Sequence, residues 1–290
     1  MTSPATDARL ARLTEDDGKA VAELIASDPV LGSLVHSFIV RRGLTGEQEF
    51  WGVWAGARLA GLATYDAAGR STVLGCTSEH APLLVDFYRQ CARRPAGLAF
   101  VDAPAELATA IGEAMPPRAT ESLGVWAWDA AAAPSSSTPL PAGLLVRPVD
   151  PAADGDRLTS LYEADALFRS LGVDIPAALA AVTSGQRLML VGQVAGRDDA
   201  GMPQIVTSAY AWLTDPRVSR VAGVVTHPAH RGKGYATSIM QALTRLILAS
   251  GRRPYLYVDL DNTPAATVYA RLGYRQYAVI TKLRYGDQRY

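Results

Sequence analysis

Six consecutive residues, Arg231-Gly232-Lys233-Gly234-Tyr235-Ala236, set two cations and two glycines immediately ahead of a stretch with helical periodicity. Such a combination can hold an anion. The first-turn N–H groups of a helix lack intrahelical partners and the helix dipole adds partial positive charge, so a phosphate fits there. Gly232 and Gly234 let the backbone approach the anion and take angles that a Cβ forbids. Before the loop, Val221-Ala222-Gly223-Val224-Val225-Thr226 reads as an apolar strand. After it, Ala236, Ile239, Met240, Leu243, Leu246 and Ile247 recur at helix spacing, and Gly251 is a stop signal. Lys233 is one of three lysines in the chain, with Lys19 and Lys282.

The elements that must position this loop form two successions of the same order, βααβββαβαβ, a sign of internal duplication. In the first half, strands are expected over Ala8–Leu13, Phe50–Trp54, Ala57–Tyr65, Ser71–Thr77, Gly97–Asp102 and Leu123–Asp129. Helices are expected after Thr14, over Leu31–Arg42, Ala81–Arg93 and Ala105–Met115. In the second half, strands are expected over Leu144–Val149, Leu188–Val194, Ile205–Leu213, Val221–Thr226, Tyr255–Leu260 and Tyr277–Leu283. Its helices are expected over Asp154–Phe168, Pro176–Val182, from the glycine loop to Ser250, and over Thr263–Leu272. A polar loop, Gly196–Gly201, joins two of the strands. Between the halves, residues 130–143 carry alanines, serines and Pro134, Pro139 and Pro141, a solvated extended linker. The expected division is 1–129, linker 130–143, and 144–290. Where the second half has its basic glycine loop, the first has Thr77-Ser78-Glu79-His80-Ala81-Pro82, with a carboxylate and no glycine. No phosphate is expected there.

Composition bounds the partners. At 290 residues the chain is long for one domain and comfortable for two, at about 100–200 residues per domain. With 49% hydrophobic and 19% charged residues, a real core is expected. A formal net charge of zero gives no global reason to expect nucleic acid or an anionic membrane. Cys76 and Cys91 are too few for a disulfide framework and lack metal-cluster spacing, so no metal is expected. The N-terminus has neither a basic nor an apolar leader region, and no run approaches the ~18 apolar residues of a spanning helix. The expectation is a cytoplasmic protein. Trp51, Trp54, Trp126 and Trp128 are expected to fill the first half's core or a domain interface.

These residues together resemble a family. Arg231, Gly234 and Ala236 stand on the fixed positions of the Arg/Gln-x-x-Gly-x-Gly/Ala pattern of the GNAT acetyltransferase superfamily, after an apolar strand and Pro228. Downstream, Asn262, Ala265, Tyr269, Gly273 and Tyr274 resemble its Asn-x-x-Ala…Tyr-x-x-x-Gly-Phe/Tyr segment. The detailed match runs from Leu144 to Tyr285, and the first half shares only the order of elements. The resemblance implies an α/β fold of α+β type. It would comprise two tandem GNAT-like domains, each a mixed, mostly antiparallel sheet flanked by helices, with the first a degenerate copy. It also implies acetyl-CoA as acyl donor and transfer to a primary amine in a ternary complex.

In that reading the pyrophosphate lies on Arg231, Gly232, Lys233, Gly234, Tyr235 and Ala236, and pantetheine runs along Val224, Val225 and Thr226. Asn262, Ala265 and Tyr269 complete the donor set. Gly223 in mid-strand marks a bulge that opens the slot. The Val225 N–H is the candidate for stabilising the oxyanion. Tyr269 holds the family position of the acid that protonates the departing thiolate. Asp259, at a strand end, is the first candidate for the base, with Asp261, Glu163 and His227 behind it. Relatives often use a glutamate on the strand before the loop, and residues 217–225 contain none. Asp261 or Asn262 also suits a helix N-cap. The acceptor is expected to be a small-molecule amine. The cysteinyl amine of a thiol precursor, a protein lysine or N-terminus, and a non-catalytic acyl-CoA sensor are the alternatives. A homodimer stays open.

Overall fold

The computed structural model of the chain describes residues 8–44, 47–134, 139–197 and 201–286. Its elements in order are β1 (Ala8–Arg12), α1 (Gly18–Ser27), α2 (Pro29–Arg42), β2 (Glu49–Ala55), β3 (Arg58–Tyr65), β4 (Arg70–Leu74), α3 (Ala81–Ala92), β5 (Phe100–Pro104), α4 (Ala105–Ala114) and β6 (Ala119–Trp128). They continue as β7 (Leu145–Pro148), α5 (Gly155–Ala164), α6 (Ala166–Leu171), α7 (Ile175–Thr183), β8 (Arg187–Arg197), β9 (Pro203–Trp212), β10 (Val218–Thr226), α8 (Tyr235–Ala249), β11 (Arg253–Asp259), α9 (Thr263–Arg271) and β12 (Tyr274–Arg284). The chain forms two compact units, Met1–Val125 with Ala278–Tyr290, and Trp126–Tyr277. The segment 130–143 therefore falls inside the second unit, and the end of β12 belongs with the first. Within 130–143, residues 135–138 lie outside the described residues. So do residues 198–200 of the polar loop and the first seven residues of the chain.

In the first unit β1, β2, β3 and β4 run antiparallel in sequence, β4 pairs parallel with β5, and β5 pairs antiparallel with β12 through Asp102 and Lys282. β3, in the middle of this ladder, is buried on both faces from Leu59 to Tyr65. Leu84, Tyr88 and Cys91 of α3 and Leu107 and Ile111 of α4 pack with Val101, Ala103 and Leu283. Trp51 lies against Phe87, with ring centroids 5.1 Å apart.

The second unit is a ladder of β7, β8, β9 and β10, all antiparallel, followed by β11, which lies parallel to β10 and is reached through α8. Such a parallel pair needs a crossover, and a helix is the usual one. The apolar stripe on α8, Ile239, Met240, Leu243 and Ile247, is buried against Leu190, Ala209, Val221 and Leu256. Trp126 and Trp128 pack on this same cluster, so two of the tryptophans assigned to the first half serve the second unit. A further cluster joins Leu158, Leu161 and Tyr162 of α5 to Met189, Val191 and Ile205. The fold class is the expected one: mixed, mostly antiparallel sheet flanked by helices. Among the described residues no helix is long and apolar enough to cross a membrane.

One expected helix is two. The run Asp154–Phe168 breaks at Asp165, which takes an extended conformation at φ −95° and ψ 126°. Its Oδ1 accepts the backbone N–H groups of Leu167 and Phe168. An aspartate satisfying first-turn donors is a helix start, and here it wins over the apolar periodicity that runs through it.

At the other end of α5, Asp154 is fully buried and accepts from Arg147, Arg157 and the Asp150 N–H. Burial alone would raise its pKa, but the Arg147 bond and the Asp150 N–H outweigh that and hold it below the usual carboxylate range. Both arginines keep some contact with solvent. Asp154→Asn, which loses the charge and keeps the shape, is therefore expected to cost about 1–2 kcal/mol, read as a lower urea midpoint at unchanged m.

Candidate active site

The centre of the site is a defect in β10. Its register with β9 slips between Ala222 and Val225, and Gly223 sits at φ +60°, so the strand bulges there. Pairing between β10 and β11 ends at Val221 and Leu256. Beyond that point the strands part, and a cavity of about 740 Å³ opens between the end of β10, α6 and α9. The bulge is held from both sides. Tyr162 of α5, buried in the core, donates its hydroxyl to the Gly223 carbonyl at 3.0 Å, and the Tyr210 ring covers the position a Cβ would take. Beyond it, the Thr207 hydroxyl donates to the Val225 carbonyl at 2.7 Å and lies 3.0 Å from that of Thr226.

The loop after β10 begins as a 3-10 turn, Pro228–His230, whose start is fastened by the Ala229 N–H on His227 Nδ1 at 3.3 Å. Gly232 and Gly234 take φ +76° and +80°, which makes glycine the suitable residue at both. Gly234 is the N-cap of α8 and supplies no side-chain cap, so the helix opens on uncapped donors. Tyr235 turns inward onto Leu144 and Val206 and fixes the helix start. His230 lies over Tyr235, and its pKa is lowered, by desolvation first and by Lys233 and His227 next. The corresponding loop of the first unit is closed on itself: His80 Nδ1 accepts the Thr77 N–H at 3.0 Å, and the Thr77 hydroxyl reaches Glu79.

The cavity gathers residues from distant parts of the second unit. Val224, Val225, Thr226, Arg231, Ala236, Asn262, Ala265 and Tyr269 all line it. Gly232, Lys233, Gly234 and Tyr235 lie beside them in the loop and are not on its wall. Asn262 accepts the Ala265 N–H at 3.2 Å and so caps α9 while facing the cavity. Tyr269 is buried, and desolvation pushes its pKa up to about 12. It keeps its proton at neutral pH. Asp259 is exposed at the end of β11 and does not line the cavity, and neither do Asp261, Glu163 or His227.

The residue that sequence reasoning missed is Asp165. It is on the cavity wall, and its Oδ2 accepts from the Arg231 guanidinium, while Arg231 Nε donates to the Thr226 carbonyl at 3.3 Å. Ala164, Ala166, Leu167, Phe168 and Arg169 continue the same wall. A helix-capping aspartate inside the run Asp154–Phe168 was the one signal available for it.

Residues 201–283 match the family model of FR47-like proteins. Over 110 residues the chain is 33% identical to a mycothiol acetyltransferase of Frankia casuarinae, covering 36% of this chain and 32% of that protein. Over 151 residues it is 29% identical to a mycothiol acetyltransferase of Frankia alni, covering 50% and 45%. The matches span less than half the length of these relatives. In three dimensions the chain resembles a tandem GNAT protein from the clavulanic acid biosynthesis pathway, with TM-score 0.61, 16% identity and coverage of 97% of this chain and 100% of the other. It also resembles a GCN5-related N-acetyltransferase from Sphaerobacter thermophilus, with TM-score 0.65, 17% identity and coverage of 96% and 95%. The chain is a tandem GNAT-fold protein.

Proposed function

We propose that the second unit transfers an acetyl group from acetyl-CoA to a primary amine of a small molecule. The observation that carries this is a cavity beside the end of β10, past its pairing with β11, walled by Arg231 and Ala236 on either side of a left-handed glycine loop at an uncapped helix start. An acyl-CoA has a pyrophosphate for the helix start and a peptide-like arm for the strand edge at Val224–Thr226. In the reaction the neutral amine attacks the thioester carbonyl, a C–N bond forms, and the C–S bond breaks. The amine's proton is lost and the sulfur leaves as thiolate. Tyr269, protonated and on the cavity wall, is the candidate to share its proton with that sulfur while the C–S bond is still breaking, since its pKa of about 12 lies above the ~8.5 of a free thiol. The amine proton goes to water or to a carboxylate reached through water, with Asp259 the first candidate. The first unit, its corresponding loop self-capped, takes no coenzyme in this reading.

That both Frankia relatives are mycothiol acetyltransferases favours one acceptor among the small amines, the cysteinyl amine of a thiol precursor. The test is acetyl-CoA-dependent thiol release across cysteinyl thiol precursors, amino acids, polyamines, aminoglycosides and lysine peptides. Release with a small amine and not with peptides is the expected result. Coenzyme binding without transfer to any acceptor would turn the reading to a sensor, and no binding at millimolar coenzyme would sink it.

A further inference from the structure

Arg231, the cation best placed for the donor's pyrophosphate, already holds an anion, the Asp165 carboxylate. The two partners are unequal in freedom. Asp165 is 11% exposed, and its other oxygen is fixed by the Leu167 and Phe168 N–H groups, so the carboxylate is built into the start of α6. Arg231 is 57% exposed on a long side chain, and apart from Asp165 it is tethered, among the described residues, by the contact of its Nε with the Thr226 carbonyl. When an anion arrives at the start of α8, the guanidinium is the group that can move. The carboxylate stays on the cavity wall and repels the newcomer. With its guanidinium end in solvent, the pair is weak enough to be exchanged.

We propose that Asp165 is an internal exchange partner for Arg231 that sets how tightly, and for how long, the coenzyme is held. In the free protein it occupies the guanidinium, and it yields Arg231 to the pyrophosphate when the donor binds. The proposal rests on the acyl-CoA reading of the cavity. Its consequence is a donor site tuned below its attainable affinity, from which product coenzyme leaves faster than it would from an unopposed Arg231. Asp165 thus joins the donor specificity residues, acting on ligands that carry the pyrophosphate and not on the pantetheine arm alone.

The test uses Asp165→Asn and Asp165→Ser in the full chain, since both side chains retain the oxygen that caps α6. Coenzyme A and free pantetheine are titrated against each, and the coenzyme off-rate is measured by stopped flow. Both variants are expected to bind coenzyme A about threefold to tenfold tighter and to release it correspondingly more slowly. Pantetheine affinity stays within about twofold, and the gain in coenzyme affinity shrinks in high salt. Coenzyme binding that is unchanged or weaker in both variants overturns the proposal, because the carboxylate would then be holding Arg231 in place for the ligand. Equal tightening of pantetheine overturns it too, since the α6 wall would have shifted instead. A wild-type protein that binds neither ligand overturns the acyl-CoA reading and this proposal together.

Discussion

Tyr269→Phe is expected to lower kcat about a hundredfold while coenzyme affinity changes by less than about twofold, the separation that follows when a group acts on the leaving sulfur and not on the bound donor. The hydroxyl is the only atom removed. The ring keeps its place among Leu272, Tyr274 and Val268, so the fold should be undisturbed. Burial holds the hydroxyl's pKa at about 12, against 10 for a free tyrosine. It therefore remains a donor across the working range, and no alkaline loss of rate below about pH 10 belongs to it. The same shift has a stability counterpart. A tyrosine whose folded pKa is raised contributes fully below the unfolded value, and that contribution is lost as pH rises from about 10 towards 12. Tyr88, Tyr162 and Tyr274 are pushed up by burial as well, so they act in the same direction. Urea midpoints at pH 8, 10 and 11 should fall steeply over the last two. A Tyr269→Phe enzyme with undiminished kcat would remove this residue from the chemistry.

Much of the site was legible because it is local. Arg231 to Ala236 lie on one loop, and Asn262, Ala265 and Tyr269 on one short helix and its cap, so residue types at fixed spacing predict them. Gly223 was legible for a similar reason: a glycine in an apolar strand has few roles other than a bulge or a close approach, and the structure shows both. What escaped was long-range. Asp165 and Arg231 are 66 residues apart, and no pattern along the chain pairs them. The Asp165 break hid inside an amphipathic run whose periodicity favours one long helix, while the cap that interrupts it depends on two backbone N–H groups. Asp154 with Arg147 and Arg157 is likewise an assembly of the folded second unit. The membership of Ala278–Tyr290 in the first unit rests on strand pairing with β5, which local propensity does not encode.

Gly223→Ala should cost about 3 kcal/mol of stability and abolish measurable coenzyme binding. Two penalties coincide there. The backbone is at φ +60°, which an alanine takes only with strain. A Cβ would also stand 2.2 Å from Tyr210 Cε1, 2.6 Å from its Cδ1 and 2.8 Å from the Tyr162 hydroxyl. Tyr210 has little room to retreat. The Arg187 guanidinium stacks over its ring at 4.1 Å, and Trp212 stands edge-on with centroids 6.0 Å away. The cheaper response is for the bulge itself to flatten. That would break the Tyr162 bond to the Gly223 carbonyl and let β10 continue alongside β11, closing the slot that the parted strands leave. Tyr162→Phe separates the two consequences. It removes the bond without adding bulk, so stability should fall by only about 1 kcal/mol, while coenzyme affinity weakens in proportion to how far the bulge relaxes. A Gly223→Ala protein with an unchanged urea midpoint and full coenzyme affinity would mean that β10 needs no bulge to open the cavity.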